Sequence, residues 1–285
     1  MNFRNLITPL VIVRFFQIFL SCTAFSLVAS VTAYQSQYGA WCMFTWILAF
    51  IVTILIVVLE LTGFYSAIPI SWEDFTSAFS MLATLMLFTT SIMYPSIYVH
   101  VGCPGKVCAY LGSATAMSIL CFFAYAIEEV GLTRAKPGEI SGFLSTVPGL
   151  LKVFESYVAC IIFSLLPGSF PLAGLQWSVA VYSICFIITT LIILLTIARL
   201  LAKLPINIER VLIGFNILAV LMYITVVVVW PLYFFRLFPN RNMCSGYGCL
   251  YDNGIGITIL TCINFLAYVV DTVYSFRMVF FTVQA

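Results

Sequence analysis

Residues 128–152 read EEVGLTRAKPGEISGFLSTVPGLLK, and this stretch divides an otherwise very apolar chain. It sets Arg134, Lys136 and Lys152 against Glu128, Glu129 and Glu139, and no other long polar interval lies in the middle of the sequence. Two apolar halves of similar length flank it. Of 285 residues, 63% are hydrophobic and 8% charged, whereas an average soluble domain carries about 25% charged residues. That composition excludes a water-soluble fold. Apolar runs of about 18 residues or more recur along the chain, each long enough to cross a hydrocarbon core about 30 Å thick. A β-barrel would need alternating segments with a polar lumen face, and runs such as FIVTILIVVLELTG are apolar on both sides. The fold class is all-α, a polytopic membrane protein.

Eight spans are expected: Leu6 to Val31, Trp41 to Leu61, Phe75 to Ile97, Val107 to Ile127, Leu150 to Leu166, Trp177 to Leu201, Val211 to Phe235 and Ile255 to Val283. Four stand on each side of the polar stretch, giving a first domain over 1–131, a linker over 132–147 and a second domain over 148–285. With the N-terminus inside, the cytosolic side holds Arg4, Arg14, Arg134, Lys136, Lys152, Arg199, Lys203, Arg210 and Arg277. The outer side holds only Lys106, Arg236 and Arg241. The positive-inside rule therefore places both termini and the linker in the cytosol. Arg4 and Arg14 ahead of an apolar run ending in Val31-Thr32-Ala33 have the outline of a signal peptide, but the same segment recurs in the second half, where cleavage has no meaning.

The halves repeat. RFFQIFLSCTAFSL (14–27) matches KVFESYVACIIFSL (152–165), and FIVTILIVVL (50–59) matches FIITTLIILL (186–195). Trp41 pairs with Trp177, Tyr94-Pro95 with Trp230-Pro231, and Phe123-Ala124-Tyr125 plus Glu128 with Leu266-Ala267-Tyr268 plus Asp271. An even number of spans per half makes the repeat parallel, about an axis along the membrane normal.

Ten cysteines are present, six of them inside apolar runs as small packing residues. The other four form two pairs at one spacing in outward loops, Cys103 with Cys108 and Cys244 with Cys249. In an oxidising compartment each pair is expected to close a small disulfide; a shared four-thiolate metal site fits the spacing poorly. Arg14 and Glu128 lie toward the cytosolic ends of the first and fourth spans, as do Lys152 and Asp271 in the second half. Each half is expected to hold one basic-acidic pair across its first and last helices, with the cationic heads snorkelling to the interface. That structural pairing is preferred to an ion path.

Smaller signals fill in the outline. Pro95 and Pro231 are read as ending their spans. Ser71-Trp72-Glu73-Asp74 reads as a hydroxyl cap and acidic first turn, with Trp72 as an interface anchor. Gly112 and Ala116 have a small-xxx-small spacing suited to close helix approach. One histidine, His100, and no nucleophile-base set, phosphate loop or metal motif argue against an enzyme and against a cofactor. A net charge of +2 gives no footprint for nucleic acid. No N-x-[ST] sequon occurs.

Taken with the linker and the repeat, FSLVASV (25–31), MFTW (43–46), TRAKPGEISGFLSTVPGLLKVFESYVACIIF (133–163), AVYSICFI (180–187) and INFLAYVVD (263–271) resemble the myeloid-associated differentiation marker family. The resemblance covers almost the whole chain. It implies two tandem parallel four-helix MARVEL bundles in the plasma membrane. It further implies a non-enzymatic organiser of cholesterol-rich membrane rafts, membrane apposition and trafficking, with membrane lipids, cholesterol among them, and trafficking or small-GTPase proteins as partners. Arg134, Lys136 and Glu139 in the linker are the candidates for partner binding. A homo-oligomer is compatible with this picture. The alternatives are a small-solute or ion carrier with a pathway between the repeats, and a cell-contact adhesion module. A Ser/Thr-rich N-terminal tail found in some relatives is absent, so regulation through such a tail is not expected.

Overall fold

The computed structural model describes residues 9–99, 105–134, 143–167, 171–200, 208–239 and 250–281. Among them are eight helices long and apolar enough to cross a membrane. They are α1 (Pro9–Ser30), α2 (Gln37–Thr62), α3 (Trp72–Tyr98), α4 (Gly105–Arg134), α5 (Val147–Leu165), α6 (Ala173–Ile197), α7 (Ile208–Leu237) and α8 (Leu250–Phe281). Hydrocarbon leaves no water to satisfy backbone groups, so uninterrupted helices are the way such apolar runs cross it. Serine and threonine hydroxyls inside the helices turn back to their own backbones, as Ser21 does to Gln17 O at 2.7 Å and Thr45 to Trp41 O at 3.0 Å.

The ends have local causes. α1 stops where Thr32 takes φ 52°, and α6 stops at Ile197 because Arg199 takes φ 55°, short of the Leu201 expected from the apolar run. Gly63 closes α2 in the left-handed conformation at φ 77°, with its N–H on Glu60 O. Thr146 caps α5 through Gly149 N–H, and Pro148 occupies its first turn.

Two expectations fail here. Neither proline ends its helix: α3 continues past Pro95 to Tyr98 and α7 past Pro231 to Leu237. One lost donor near a helix end is tolerated where packing continues, and in α7 the rings of Trp230, Phe234 and Phe238 succeed one another at 5.2 and 5.1 Å across the proline. Ser71 does stand at the start of α3, but its hydroxyl makes no cap bond. It donates instead to Asp74 Oδ2 at 2.6 Å, and Asp74 Oδ1 accepts the Leu144 N–H at 2.7 Å.

The chain forms two compact units, Met1–Ser145 and Thr146–Ala285. A 3-10 turn over Phe143–Ser145, within the polar stretch, therefore folds with the first unit. It is held by the Asp74 bond, by Ser77 Oγ to Ser145 Oγ at 2.8 Å, and by burial of Leu144. In each unit the helices pack in a closed ring in chain order, α1 returning to α4 and α5 to α8.

The repeat extends to individual contacts. Phe25 meets Phe50 edge-on at 5.4 Å and Phe163 meets Phe186 at 5.5 Å; Phe79–Tyr125 and Phe215–Tyr268 both lie at 6.3 Å. Two polar rungs cross each bundle between its second and fourth helices. In the first unit Trp46 Nε1 donates to Ser118 Oγ at 3.1 Å and Thr53 bonds Tyr125 OH at 2.5 Å. In the second, Tyr182 bonds Thr261 at 2.6 Å and Thr189 bonds Tyr268 at 3.0 Å. Each such interhelical bond is worth about 0.6 kcal/mol on average in a membrane bundle.

Close helix approach does not use Gly112, around which a Cβ would meet nothing within 4 Å. It uses Gly174 under Tyr233 and Gly254 under the fully buried ring of Phe234. Gly254→Ala is expected to destabilise the second unit by about 1–3 kcal/mol through overpacking, because the Phe234 ring is held between Trp230 and Phe238. Gly112→Ala is expected to be neutral or to stabilise by up to about 1 kcal/mol from helix propensity. Unfolding in mixed detergent micelles, followed by near-UV circular dichroism, compares the two.

Candidate functional site

Each unit buries one cation against two carboxylates, at the end where its first helix begins. In the first unit Arg14 stands five residues into α1, about 8 Å along the axis. Its side chain is 2% exposed. Nε donates to Glu128 Oε1 on α4 at 2.7 Å, and Nη1 pairs with Glu60 Oε2 near the end of α2. Gln17, one turn on from Arg14, donates to the other Glu128 oxygen at 2.6 Å and to Ala124 O at 3.3 Å. Trp72, in the first turn of α3, donates its indole N–H to Glu60 Oε1 at 3.0 Å. One guanidinium and one indole thus tie all four helices through two carboxylates.

The second unit builds the same device from other residues. Lys152 Nζ, 1% exposed, reaches Asp271 Oδ2 on α8 at 2.6 Å, Glu155 Oε2 on α5 at 2.9 Å and Asn216 Oδ1 on α7 at 2.6 Å. All three ammonium hydrogens are used. The charge also lies over two rings, 5.3 Å from the centroid of Phe215 and 5.2 Å from that of Tyr268. Asn216 Nδ2 donates in turn to Asp271 Oδ2 at 3.0 Å and to Ser275 Oγ at 3.3 Å. Asn264, seven residues before Asp271 on α8, donates to Tyr223 OH at 2.8 Å.

The structure thus brings Arg14 to Glu128 and Lys152 to Asp271. The cationic heads do not snorkel outward as expected; they turn into the bundle, where carboxylates and amides offer several charge-assisted hydrogen bonds. Sequence reasoning missed Glu60, Glu155, Gln17, Asn216 and the role of Trp72. Gln17 and Glu155 were in view, since they align with each other in the repeat, but an amide opposite an acid signals no shared role. Glu60 aligns with Thr196, so the repeat gives no pointer to it.

Other expected residues bring no further site. Cys108, at the start of α4, is disulfide-bonded; Cys103, Cys244 and Cys249 lie outside the described residues. So do Lys136, Glu139 and His100, and Arg134 is described only as the last residue of α4. Among the described residues no group of three or more His, Cys, Asp or Glu is placed to hold a metal.

The membrane-associating (MARVEL) domain family matches residues 5–129, which fall in the first unit. A myeloid-associated differentiation marker of Rattus norvegicus is 44% identical over 97% of this chain and 92% of its own length. The Homo sapiens protein of that name is 43% identical over 97% of this chain and 90% of its own. A myeloid-associated differentiation marker-like protein 2 of Mus musculus is 37% identical over 96% of this chain and 92% of its own. No solved structure matches the chain.

Removing either cation leaves buried acidic side chains without their cation. Arg14→Ala and Lys152→Ala are each expected to cost about 3–5 kcal/mol, seen as loss of monodisperse protein in detergent size-exclusion and a lowered melting temperature. An Arg14→Glu, Glu128→Arg exchange is expected not to restore stability, because the carboxylate introduced at position 14 faces Glu60. Adding Glu60→Gln to the exchange is expected to recover it in part.

Proposed function

Because this chain belongs to the myeloid-associated differentiation marker family, we propose that it is a non-enzymatic organiser of ordered, cholesterol-rich plasma membrane. One observation carries this reading: each bundle turns large apolar side chains outward and keeps its polar contacts inside a packed core. Phe16 and Phe19 of α1 are 60% and 62% exposed, and Phe123 of α4, Ile187 of α6 and Leu266 of α8 are also exposed. The buried centres are crossed by Trp46, Tyr125, Tyr182 and Tyr268, whose polar atoms are hydrogen-bonded across the bundle. The surface offered to lipid is therefore apolar, on spans of up to 28 residues, and span length against bilayer thickness is a property on which sorting between membranes acts.

In this reading both termini and the linker lie in the cytosol, and the linker residues Arg134, Lys136 and Glu139 engage trafficking or small-GTPase proteins. The outer loops close through Cys103–Cys108 and Cys244–Cys249 bridges.

Partition in phase-separated vesicles from plasma membrane tests the organiser role. The tagged chain is expected in the ordered phase, and alanine at Phe15, Phe16 and Phe19 is expected to move it toward the disordered phase. Uniform exclusion of the wild-type chain from the ordered phase would overturn the reading. So would solute flux in proteoliposomes that Asp271→Asn or Glu128→Gln abolishes, which marks a carrier. Non-reducing peptide mapping is expected to find the two short-loop bridges; a Cys103–Cys244 linkage or free thiols at these positions would count against them.

A further inference from the structure

We propose that the core of the second unit is a proton-binding site, in which Glu155 is a neutral carboxylic acid beside the Lys152–Asp271 ion pair. The argument starts from a count of charges. Lys152 meets two carboxylates, Glu155 and Asp271, and both are 0% exposed. With both ionised, the buried site holds one uncompensated negative charge, an arrangement that burial penalises heavily. The first unit avoids it by placing its second carboxylate, Glu60, near the end of α2, where the side chain is 22% exposed. At the buried position it keeps Gln17, the neutral isostere, opposite Glu155 in the repeat.

Hydrogen bonds decide which carboxyl takes the proton. Asp271 accepts from Lys152 Nζ at 2.6 Å, from Asn216 Nδ2 at 3.0 Å and, at its other oxygen, from Ser275 Oγ at 3.3 Å. Glu155 accepts only from Lys152, and its Oε1 has no partner among the described residues. Asp271 thus has three donors and Glu155 one, so Glu155 is the poorly solvated member of the pair.

The remaining groups facing Glu155 supply no compensating charge. They are Tyr268 from α8, Tyr223 from α7 and Cys185 from α6. Both tyrosines already bond elsewhere, to Thr189 and Asn264. The site binds its proton with an oxygen that the ion pair does not use, so α5 and α8 need not separate for Lys152 and Asp271 to stay joined. Deprotonation would instead put the surplus charge between those two helices.

Infrared difference spectroscopy of the full-length protein in nanodiscs at neutral pH tests this directly. Wild type minus Glu155→Gln is expected to contain the C=O stretch of a protonated acid, shifted in heavy water, with no net loss of carboxylate bands. Glu155→Gln is expected to fold normally, since it gives the second unit the side chain the first already uses. A difference spectrum that contains carboxylate bands and no acid band would overturn the proposal. Should that variant fail to fold, carboxyl-¹³C glutamate labelling of the wild-type chain is expected to shift the acid band. An unshifted band, belonging to aspartic acid, or no acid band at all, would equally overturn it.

Discussion

A cation removed from water inside a membrane bundle must be met by carboxylates with their own hydrogen-bond donors, and the rest of each unit is arranged around that requirement. Arg14 cannot satisfy it with Glu128 alone. Its fork uses Glu60 as well, Gln17 completes Glu128, and Trp72 completes Glu60. Helix order follows from these bonds. α4 must close back on α1, α2 must end level with the start of α1, and α3 must begin there with an indole. The Phe64–Ala67 turn and Gly63 at φ 77° are the short connection that brings Trp72 to that level.

The polar contacts deeper in the bundles follow from the same physics in weaker form. Lipid provides no hydrophobic drive between helices, so close packing and interhelical hydrogen bonds must align them. Trp46 with Ser118 and Tyr182 with Thr261 are different side chains spanning the same place. What the repeat preserves there is a bond across the ring between second and fourth helices. Residue identity is secondary, which is how the halves can diverge in sequence while keeping two aromatic pairs at nearly equal separations.

Much of this was legible before any coordinates. Apolar length placed all eight helices, and the repeat brought Arg14, Glu128, Lys152 and Asp271 into correspondence. What escaped is instructive. A proline near the end of a span reads as a terminator, yet Pro231 sits inside α7 because aromatic packing continues beyond it. Gly112 with Ala116 reads as a packing stripe, yet the helices close on Gly174 and Gly254, which sit opposite large rings. A spacing tells which residues share a face but not which face is occupied. Glu60 was hidden because it has no charged counterpart in the other half.

That missing counterpart separates the two units chemically. A second carboxylate near the end of α2 can reach water and an indole; one on α5, eight residues from its start, about 12 Å along the axis, can reach neither. Moving the acid from one helix to the other keeps the count of one cation to two carboxyls and changes what the surplus charge must do. Near the helix end it is solvated, and in the core it is neutralised. The two repeated bundles thus share a scaffold of rungs and rings while differing in where the surplus acid lies. The second unit, with its asparagine between lysine and aspartate, is the one whose packing is coupled to protonation.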